Sequence, residues 1–403
     1  MLRPLFVTGS LAHGGAERHS ITLVNRLAER GHDCHALYLK AADDQLPRLR
    51  RPASCVRGLG AEGFFDRQAV RDCADHIARV RPSMLVAANG YALLHASLAQ
   101  RRSGLPVPVV ATFHTTIVDS GREQLKLLIE RPFFWRAWAT VFVCAAQKEH
   151  WLRRGLGSRR NPVIYNGVDI EHFHNRFTAD ERQALRRSLG LGEGDYVIGI
   201  SAVLRPEKNH RQLVDALTVL RQLGLPARLL VIGDGPQRGA IEAQARAAGV
   251  AGQVHITGFV QDVRPYLAVC DVVALCSLSI ETFSLAALEA MAMGKPVVHS
   301  NIGGAAEMIQ PGVNGHLFAA GDTIDLVSCL AVMAEQKYAE RMGAAARQLV
   351  EARFSEACMV DRYERLLAEI GRQHPMTSGR SAARSDGHPE SHVNQGASSH
   401  ENV

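Results

Sequence analysis

Residues 196–210 read Tyr196-Val197-Ile198-Gly199-Ile200-Ser201-Ala202-Val203-Leu204-Arg205-Pro206-Glu207-Lys208-Asn209-His210. An apolar run over 196–203 gives way to a cationic turn, and residues 209–223 carry helical periodicity. A Val- and Ile-rich strand that leads at once into a helix is the unit of a parallel sheet buried on both faces. The unit repeats in both directions. Downstream, strands are expected at 228–233, 254–258, 271–276 and 296–300, with helices near 236–249, 284–293 and 304–309. Upstream, strands are expected at 5–10, 34–40, 84–89, 107–113 and 140–145, with helices near 16–30, 66–80, 91–102, 123–137 and 146–154. Two runs of this alternation imply an α/β chain of two Rossmann-like, doubly wound domains. They are expected at 1–170 and 177–350, joined through the polar stretch Asn166–Thr178. Helices near 322–351 and 356–371 close the folded part, with 351–372 expected to cross back to the first domain. From 373 to 403 large apolar residues are scarce, so a disordered tail is expected, its histidines solvated.

Composition narrows the class. Of 403 residues, 46% are hydrophobic and 21% charged, the balance of a folded chain with an ample core. No run of 18 apolar residues occurs, so no membrane-spanning helix is expected. The opening residues Met1–Gly9 read as a buried strand and not as a signal peptide. Eight cysteines, at 34, 55, 73, 144, 270, 276, 329 and 358, include no Cys-x-x-Cys, so reduced thiols in a cytoplasm are expected and a zinc site is not. Secreted, collagenous, disordered and membrane-spanning classes are excluded. Net charge is +6 but uneven: residues 1–176 hold 25 Lys+Arg against 15 Asp+Glu, and the remainder holds 21 against 25. Such asymmetry suggests that the first half meets something anionic, nucleic acid or a membrane surface, unless it is an idle solvated face.

Several turns carry chemistry. The first strand ends in Thr8-Gly9-Ser10-Leu11-Ala12-His13-Gly14-Gly15-Ala16-Glu17-Arg18. Gly14 and Gly15 at a strand-to-helix turn allow close backbone approach to an anion, or simply form a tight turn. Their spacing from Gly9 is wrong for the dinucleotide fingerprint. His114 lies at the carboxyl end of a strand, where open α/β sheets bind ligands, although a lone histidine is also commonly structural. Arg205 and Lys208 can clamp a diphosphate, one as a planar fork and the other as a point charge. Gly233-Asp234-Gly235-Pro236 is a further glycine-rich turn after a strand. In Glu281-Thr282-Phe283-Ser284-Leu285-Ala286-Ala287-Leu288-Glu289 the amides of Phe283, Ser284 and Leu285 open a helix and form an anion site. Glu289 falls about two turns beyond Glu281 if the helix is continuous, among apolar neighbours, and such an acid needs a partner. A sugar diol or a nearby arginine would serve.

Taken in order, these segments resemble the family-4 retaining glycosyltransferases of GT-B fold, over roughly residues 5–350. The resemblance rests on Gly14-Gly15-Ala16-Glu17, His114, Ile164-Tyr165-Asn166-Gly167-Val168-Asp169, Pro206-Glu207-Lys208-Asn209, Gly233-Asp234-Gly235-Pro236 and the Glu281/Glu289 pair. It continues through Gly294-Lys295-Pro296, Gly303-Gly304-Ala305-Ala306-Glu307 and Gly312-Val313-Asn314-Gly315. It implies two domains facing across a cleft, the first on the acceptor side and the second binding the nucleotide-sugar. Gly15 would meet the donor pyrophosphate, His114 the reacting sugar or acceptor, and Lys208 with an arginine beside it the diphosphate. Glu281 would touch the donor sugar, and Glu289 the ribose hydroxyls. The family commonly places that arginine where this chain has Val203, so Arg205 is the substitute to be tested. Base recognition is expected near Gly258–Val260, and family frequency favours a UDP-sugar. The acceptor is expected to be a cell-surface glycan or a lipid-linked molecule. No Asp-x-Asp occurs, so neither a metal nor another cofactor is expected. An oxidoreductase would require a cleaner dinucleotide fingerprint. A nucleotide-sugar epimerase of similar shape and a non-catalytic sugar-nucleotide binder are the remaining alternatives.

Residues 122–138, Arg-Glu-Gln-Leu-Lys-Leu-Leu-Ile-Glu-Arg-Pro-Phe-Phe-Trp-Arg-Ala-Trp, mix basic, aromatic and aliphatic side chains, and Arg153, Arg154, Arg159 and Arg160 follow. Segments of this kind lie at headgroup interfaces, so attachment to an anionic inner-face membrane is expected. The competing expectation is that Leu127, Leu128, Phe134 and Trp138 pack on the sheet and that Pro132 divides the helix. Nucleic acid is not expected, because the aromatics form no recognisable binding module.

Overall fold

A computed structural model describes residues 1–12, 14–115, 121–279 and 281–374. The expected disordered tail lies outside the described residues from residue 375 onward. The first lobe contains β1 (Pro4–Thr8), β2 (His35–Tyr38), β3 (Val56–Gly58), β4 (Met84–Ala88), β5 (Val109–Phe113) and β6 (Ala139–Phe142). Its helices are α1 (Gly15–Glu29), α2 (Arg67–Val80), α3 (Asn89–Ser103), α4 (Gly121–Arg136) and α5 (Ala145–Arg153). The second lobe contains β7 (Tyr196–Ser201), β8 (Ala227–Ile232), β9 (Val254–Ile256), β10 (Val272–Leu275), β11 (Val297–Ser300) and β12 (Gly315–Phe318). Its helices are α6 (Ala179–Ser188), α7 (His210–Gln222), α8 (Arg238–Ala247), α9 (Arg264–Val269), α10 (Leu285–Ala292), α11 (Ala305–Met308), α12 (Thr323–Val332) and α13 (Gln336–Leu349), with α14 (Glu356–Gln373) last.

Both sheets are six-stranded and parallel, in the orders β3-β2-β1-β4-β5-β6 and β12-β11-β10-β7-β8-β9. β1 and β4 are buried along their whole length, as strands covered by helices on both faces must be. The expected doubly wound pair is therefore present. Strand order reverses between β1 and β4 in one sheet and between β7 and β10 in the other, and crevices open at such switch points.

Four elements were not expected. Strands β3 and β12 lie at sheet edges, where half-burial removes the continuous apolar run that betrays an inner strand. Helix α6 follows the join, and the capping box of Thr178 and Glu181 opens it. The short α9 starts with a proline in its first turn. The stretch expected as helix over 322–351 divides at Met333–Glu335, where the Glu335 carboxylate caps α13. Conversely, Pro132 does not divide α4, which runs through it.

The lobes are joined twice. Val168 leaves the first lobe beside Ser355, where the chain returns, and the two backbones pair. A Cβ on Gly167 would fall 2.7 Å from the Ser355 carbonyl oxygen, so only glycine permits this crossing. Helix α14 then buries Met359, Val360, Tyr363, Leu367 and Ile370 in a cluster that includes Phe6, Val24, Val110 and Val141 of the first lobe.

Candidate functional site

The carboxyl ends of the two sheets face each other. Gly15 opens α1, whose preceding residue Gly14 has no side chain to cap it. A Cβ on Gly15 would lie 3.9 Å from Leu285 Cδ1 at the start of α10. Two helix N-termini thus meet across the cleft, each presenting backbone N–H groups and positive dipole ends. The Ser284 hydroxyl accepts from Ala287 N at 3.3 Å and so caps α10. The Phe283 ring is buried against Tyr165 and Phe354, so only its backbone faces the cleft.

Glu281 lies four residues ahead of α10 and Glu289 one turn inside it, so the two acids do not share a continuous helix. Gly303 explains how Glu281 is held. Its φ of +56° is one that L side chains rarely adopt, and a Cβ there would collide with the Glu281 carbonyl at 1.8 Å. Lys208 Nζ donates to Glu281 Oε2 at 2.6 Å, and Ser277 Oγ donates to the same oxygen at 3.2 Å. Arg205 extends from the same loop with 60% of its side chain exposed and Glu207 4.0 Å away. Val203, the position where the family commonly has the arginine, is itself exposed. The Gly233 turn supports this loop: Leu204 N donates to Asp234 O, and Gln237 N to Leu204 O.

Glu289 is 6% exposed. Its partner is Arg18, one turn into α1 of the opposite lobe, with Nη1 2.5 Å from Oε1. The approach is close enough for an ion pair but misaligned for a hydrogen bond, leaving Oε1 without a hydrogen-bond donor. The residue that charge pairing required is thus an arginine, supplied from across the cleft.

His114 follows β5. Its N–H donates to Asn89 Oδ1 at 2.9 Å, and its carbonyl accepts from Thr282 Oγ1 at 3.2 Å. Burial pushes its imidazole down to about 4, so it is neutral at pH 7, and its enclosed Nε2 has no hydrogen-bond partner. His19 packs edge-on against it, ring centroids 4.6 Å apart, and shares a 3.0 Å hydrogen bond with the Tyr363 hydroxyl of α14. Asn89 has a φ of +64°, strain of the kind found at working sites. It lines a cavity of about 200 Å³ at the β1–β4 switch point, together with Ser10, Glu17, Lys40 and Tyr91. Burial raises the Glu17 carboxyl, and hydrogen bonds from its own backbone and from Ser10 oppose the rise.

More contacts tie the lobes together near His114. Cys144 Sγ donates to Thr282 O, and Asn166 Nδ2 to Phe283 O. The Glu307 carboxylate accepts from Ala145 N and Ala146 N, both at 2.8 Å, and so caps α5 from the other lobe. Sequence reasoning missed Arg18, His19, Asn89, Thr282 and Glu307 as site residues. Arg18 left a signal in the basic excess of the first half, and Glu307 one in the Gly303–Glu307 segment, but neither pointed to its partner. Part of that excess is used internally, because Arg26 pairs with Asp169 and Glu356, and Arg30 with Asp361 and Glu364.

Among the described residues one group has metal-ligand character, Asp33, His35 and Cys55. It lies at the amino ends of the strands, away from the cleft, and the guanidinium groups of Arg3 and Arg51 approach Asp33 at 2.7 and 3.8 Å. Two cations already occupy the charge that a metal would need.

The family described as "Glycosyltransferase Family 4" matches residues 13–172, and that described as "Glycosyl transferases group 1" matches residues 181–349. The N-acetyl-alpha-D-glucosaminyl L-malate synthase of Bacillus anthracis is 28% identical over 209 residues, 52% of this chain and 53% of the relative. A GDP-mannose-dependent alpha-(1-6)-phosphatidylinositol monomannoside mannosyltransferase of Mycobacterium tuberculosis is 32% identical over 198 residues, 47% of this chain and 50% of the relative. The chain thus spans about half the length of these curated relatives. The Anabaena protein Alr3699/HepE, solved in complex with UDP, superimposes with a TM-score of 0.80 at 23% identity, covering 91% of this chain and all of that one. That likeness identifies the fold as GT-B.

Proposed function

Since the chain belongs to the group-1, family-4 glycosyltransferases, we propose that it transfers a sugar, with retention of configuration, from a nucleoside diphosphate donor to an acceptor hydroxyl. The observation that carries this reading is the convergence of Glu281, Lys208, Glu289, His114 and two helix N-termini on one interlobe cleft. In this reading the diphosphate takes Lys208 from Glu281, which frees the carboxylate for the donor sugar. Glu289 binds the ribose hydroxyls. Lys208, Arg205 and the amides at the starts of α1 and α10 stabilise the charge that develops on the leaving diphosphate, in place of a metal ion. Neutral His114 stands at the reacting sugar or acceptor. The acceptor enters the first-lobe cavity beside Glu17, Asn89 and Tyr91, and lobe closure excludes water.

A UDP-sugar is the favoured donor, supported by the likeness to a protein crystallised with UDP, although the mycobacterial relative's name specifies GDP-mannose. The acceptor in this reading is a glycan or a lipid-linked molecule. The surface of α4 supports attachment to an anionic membrane: Leu125, Leu128, Ile129 and Trp135 are exposed on one helical face, among Arg122, Lys126 and Arg136. Phe134 instead packs on Phe113, and Arg160 covers Trp138. Among the described residues no helix is long and apolar enough to cross a membrane. The eight free thiols, six of them buried, fit the reducing conditions of a cytoplasm. The test is a panel of nucleotide sugars scored for thermal stabilisation and then for slow donor hydrolysis. Absence of both for every UDP- and GDP-sugar overturns the reading.

A further inference from the structure

Each acid of the donor site carries a cation, but the two cations come from different places. Lys208, beside Glu281, belongs to the same lobe. Arg18, beside Glu289, belongs to the other lobe. We infer that Arg18 is a positioning residue that competes with the donor ribose for Glu289: it adds an ion pair to the contacts that tie the lobes across the cleft and yields Glu289 when a nucleotide enters. The inference rests on the assignment of Glu289 to the ribose, made above.

Glu289 is nearly buried on a helix whose other buried residues are apolar, so its charge is costly without a partner. A guanidinium and a vicinal diol both satisfy a carboxylate, and they compete for the same face of it. The contact with Arg18 is made for exchange. It compensates charge at 2.5 Å, yet gives Oε1 no aligned hydrogen bond, whereas a diol donates two directional ones. Among the described residues Arg18 has no other ion pair within 4.0 Å, so Glu289 is its closest counter-charge. The Phe173 ring lies 5.9 Å away in the connection between the lobes, and Glu356 of α14 is near enough for its charge to be felt. Arg18 stands one turn behind Gly15, where α1 meets the start of α10. A guanidinium displaced from Glu289 therefore stays near the place proposed for the diphosphate, whose negative charge replaces that of the lost partner. The same exchange occurs at Lys208, but only the exchange at Arg18 links occupancy of the nucleotide site to the position of the opposite lobe.

Small-angle scattering of the full chain without ligand tests this directly. Arg18→Met and Glu289→Gln should each raise the radius of gyration, and Arg18→Lys should restore the compact value in part. Calorimetry with uridine diphosphate and guanosine diphosphate should show Arg18→Met binding the preferred diphosphate about three- to tenfold more tightly than the parent, because no competitor occupies Glu289. An unchanged radius of gyration in both Arg18→Met and Glu289→Gln overturns the inference. So does weaker diphosphate binding by Arg18→Met, which makes Arg18 an ordinary phosphate ligand. If neither diphosphate binds the parent protein, the donor-site reading fails, while the scattering comparison still decides whether Arg18 and Glu289 hold the lobes together.

Discussion

Thr282 donates from Oγ1 to the carbonyl oxygen of His114 at 3.2 Å. The residue directly after Glu281 is thereby fastened to the histidine of the opposite lobe. Cys144 donates to the carbonyl of the same threonine, so Thr282 is held from two first-lobe elements at once. The two proposed catalytic groups, Glu281 and His114, are thus registered through the Thr282 hydroxyl and two backbone carbonyls. Registration of this kind matters, because small displacements of reacting groups are expensive in rate.

The two acids should separate in their effects. Glu281→Gln should lower kcat at least about tenfold with little change in diphosphate affinity, since its proposed partner is the sugar. Glu289→Ala should weaken diphosphate binding by about 1–3 kcal/mol, the cost of lost charged hydrogen bonds. Calorimetry and steady-state kinetics on folded variants check both. Unchanged affinity in Glu289→Ala removes its assignment to the ribose.

His114 should make the fold sensitive to acid. Its folded value, about 4, lies below the unfolded 6.5, so the unfolded chain binds more protons between those values. The stability that neutral His114 contributes is intact above pH 6.5 and falls progressively toward pH 4. His19, pushed well below its ordinary value by burial, adds to the same trend. Melting curves from pH 7 to pH 4 should show a shallower loss for His114→Phe than for the parent. Equal slopes would show that His114 titrates normally. Activity, in turn, should show no limb near pH 6.5 arising from His114.

Glu307→Ala should cost about 0.5–2 kcal/mol, the usual range for a lost helix cap, because Ala145 N and Ala146 N lose their acceptor. The cap spans the lobes, so turnover should fall as well. Glu307→Gln keeps an acceptor oxygen and should recover most of the stability. Thermal unfolding of the three proteins decides the point.

On the membrane face, Leu128→Ser and Lys126→Glu should leave the melting temperature nearly unchanged, because Leu128 is 58% exposed and Lys126 is exposed. Both should reduce co-sedimentation with vesicles of anionic lipid, Lys126→Glu by removing a cation worth about 1 kcal/mol at the surface. High salt should release the parent protein. Attachment indifferent to lipid charge and salt, or no attachment, leaves a soluble acceptor as the better reading.

The inner strands and most helices were legible because their signals are local: unbroken Val, Ile and Leu runs, glycine turns and helical periodicity. Strands β3 and β12 escaped because a half-buried edge carries no such run. The candidate residues Gly15, His114, Lys208, Glu281 and Glu289 were legible for a related reason. His114 directly follows β5, Gly15 opens the helix after β1, Lys208 and Glu281 lie in the connections from a strand to the next helix, and Glu289 lies one turn inside α10. Sheet topology sends those strand-to-helix connections to the crevice whatever the lobes do.

What the sequence determined alone is therefore two doubly wound lobes and the chemical groups at their rims. The tertiary structure decided which group meets which. It assigned Arg18 to Glu289, Thr282 to His114, and Glu307 to the start of α5. It also showed that part of the first half's basic excess is used on acids of the second half and of α14. The physical reason is that these pairs join residues far apart in the chain, and their geometry depends on how one rigid lobe sits against the other. Burial and periodicity act within a lobe and carry no record of that placement.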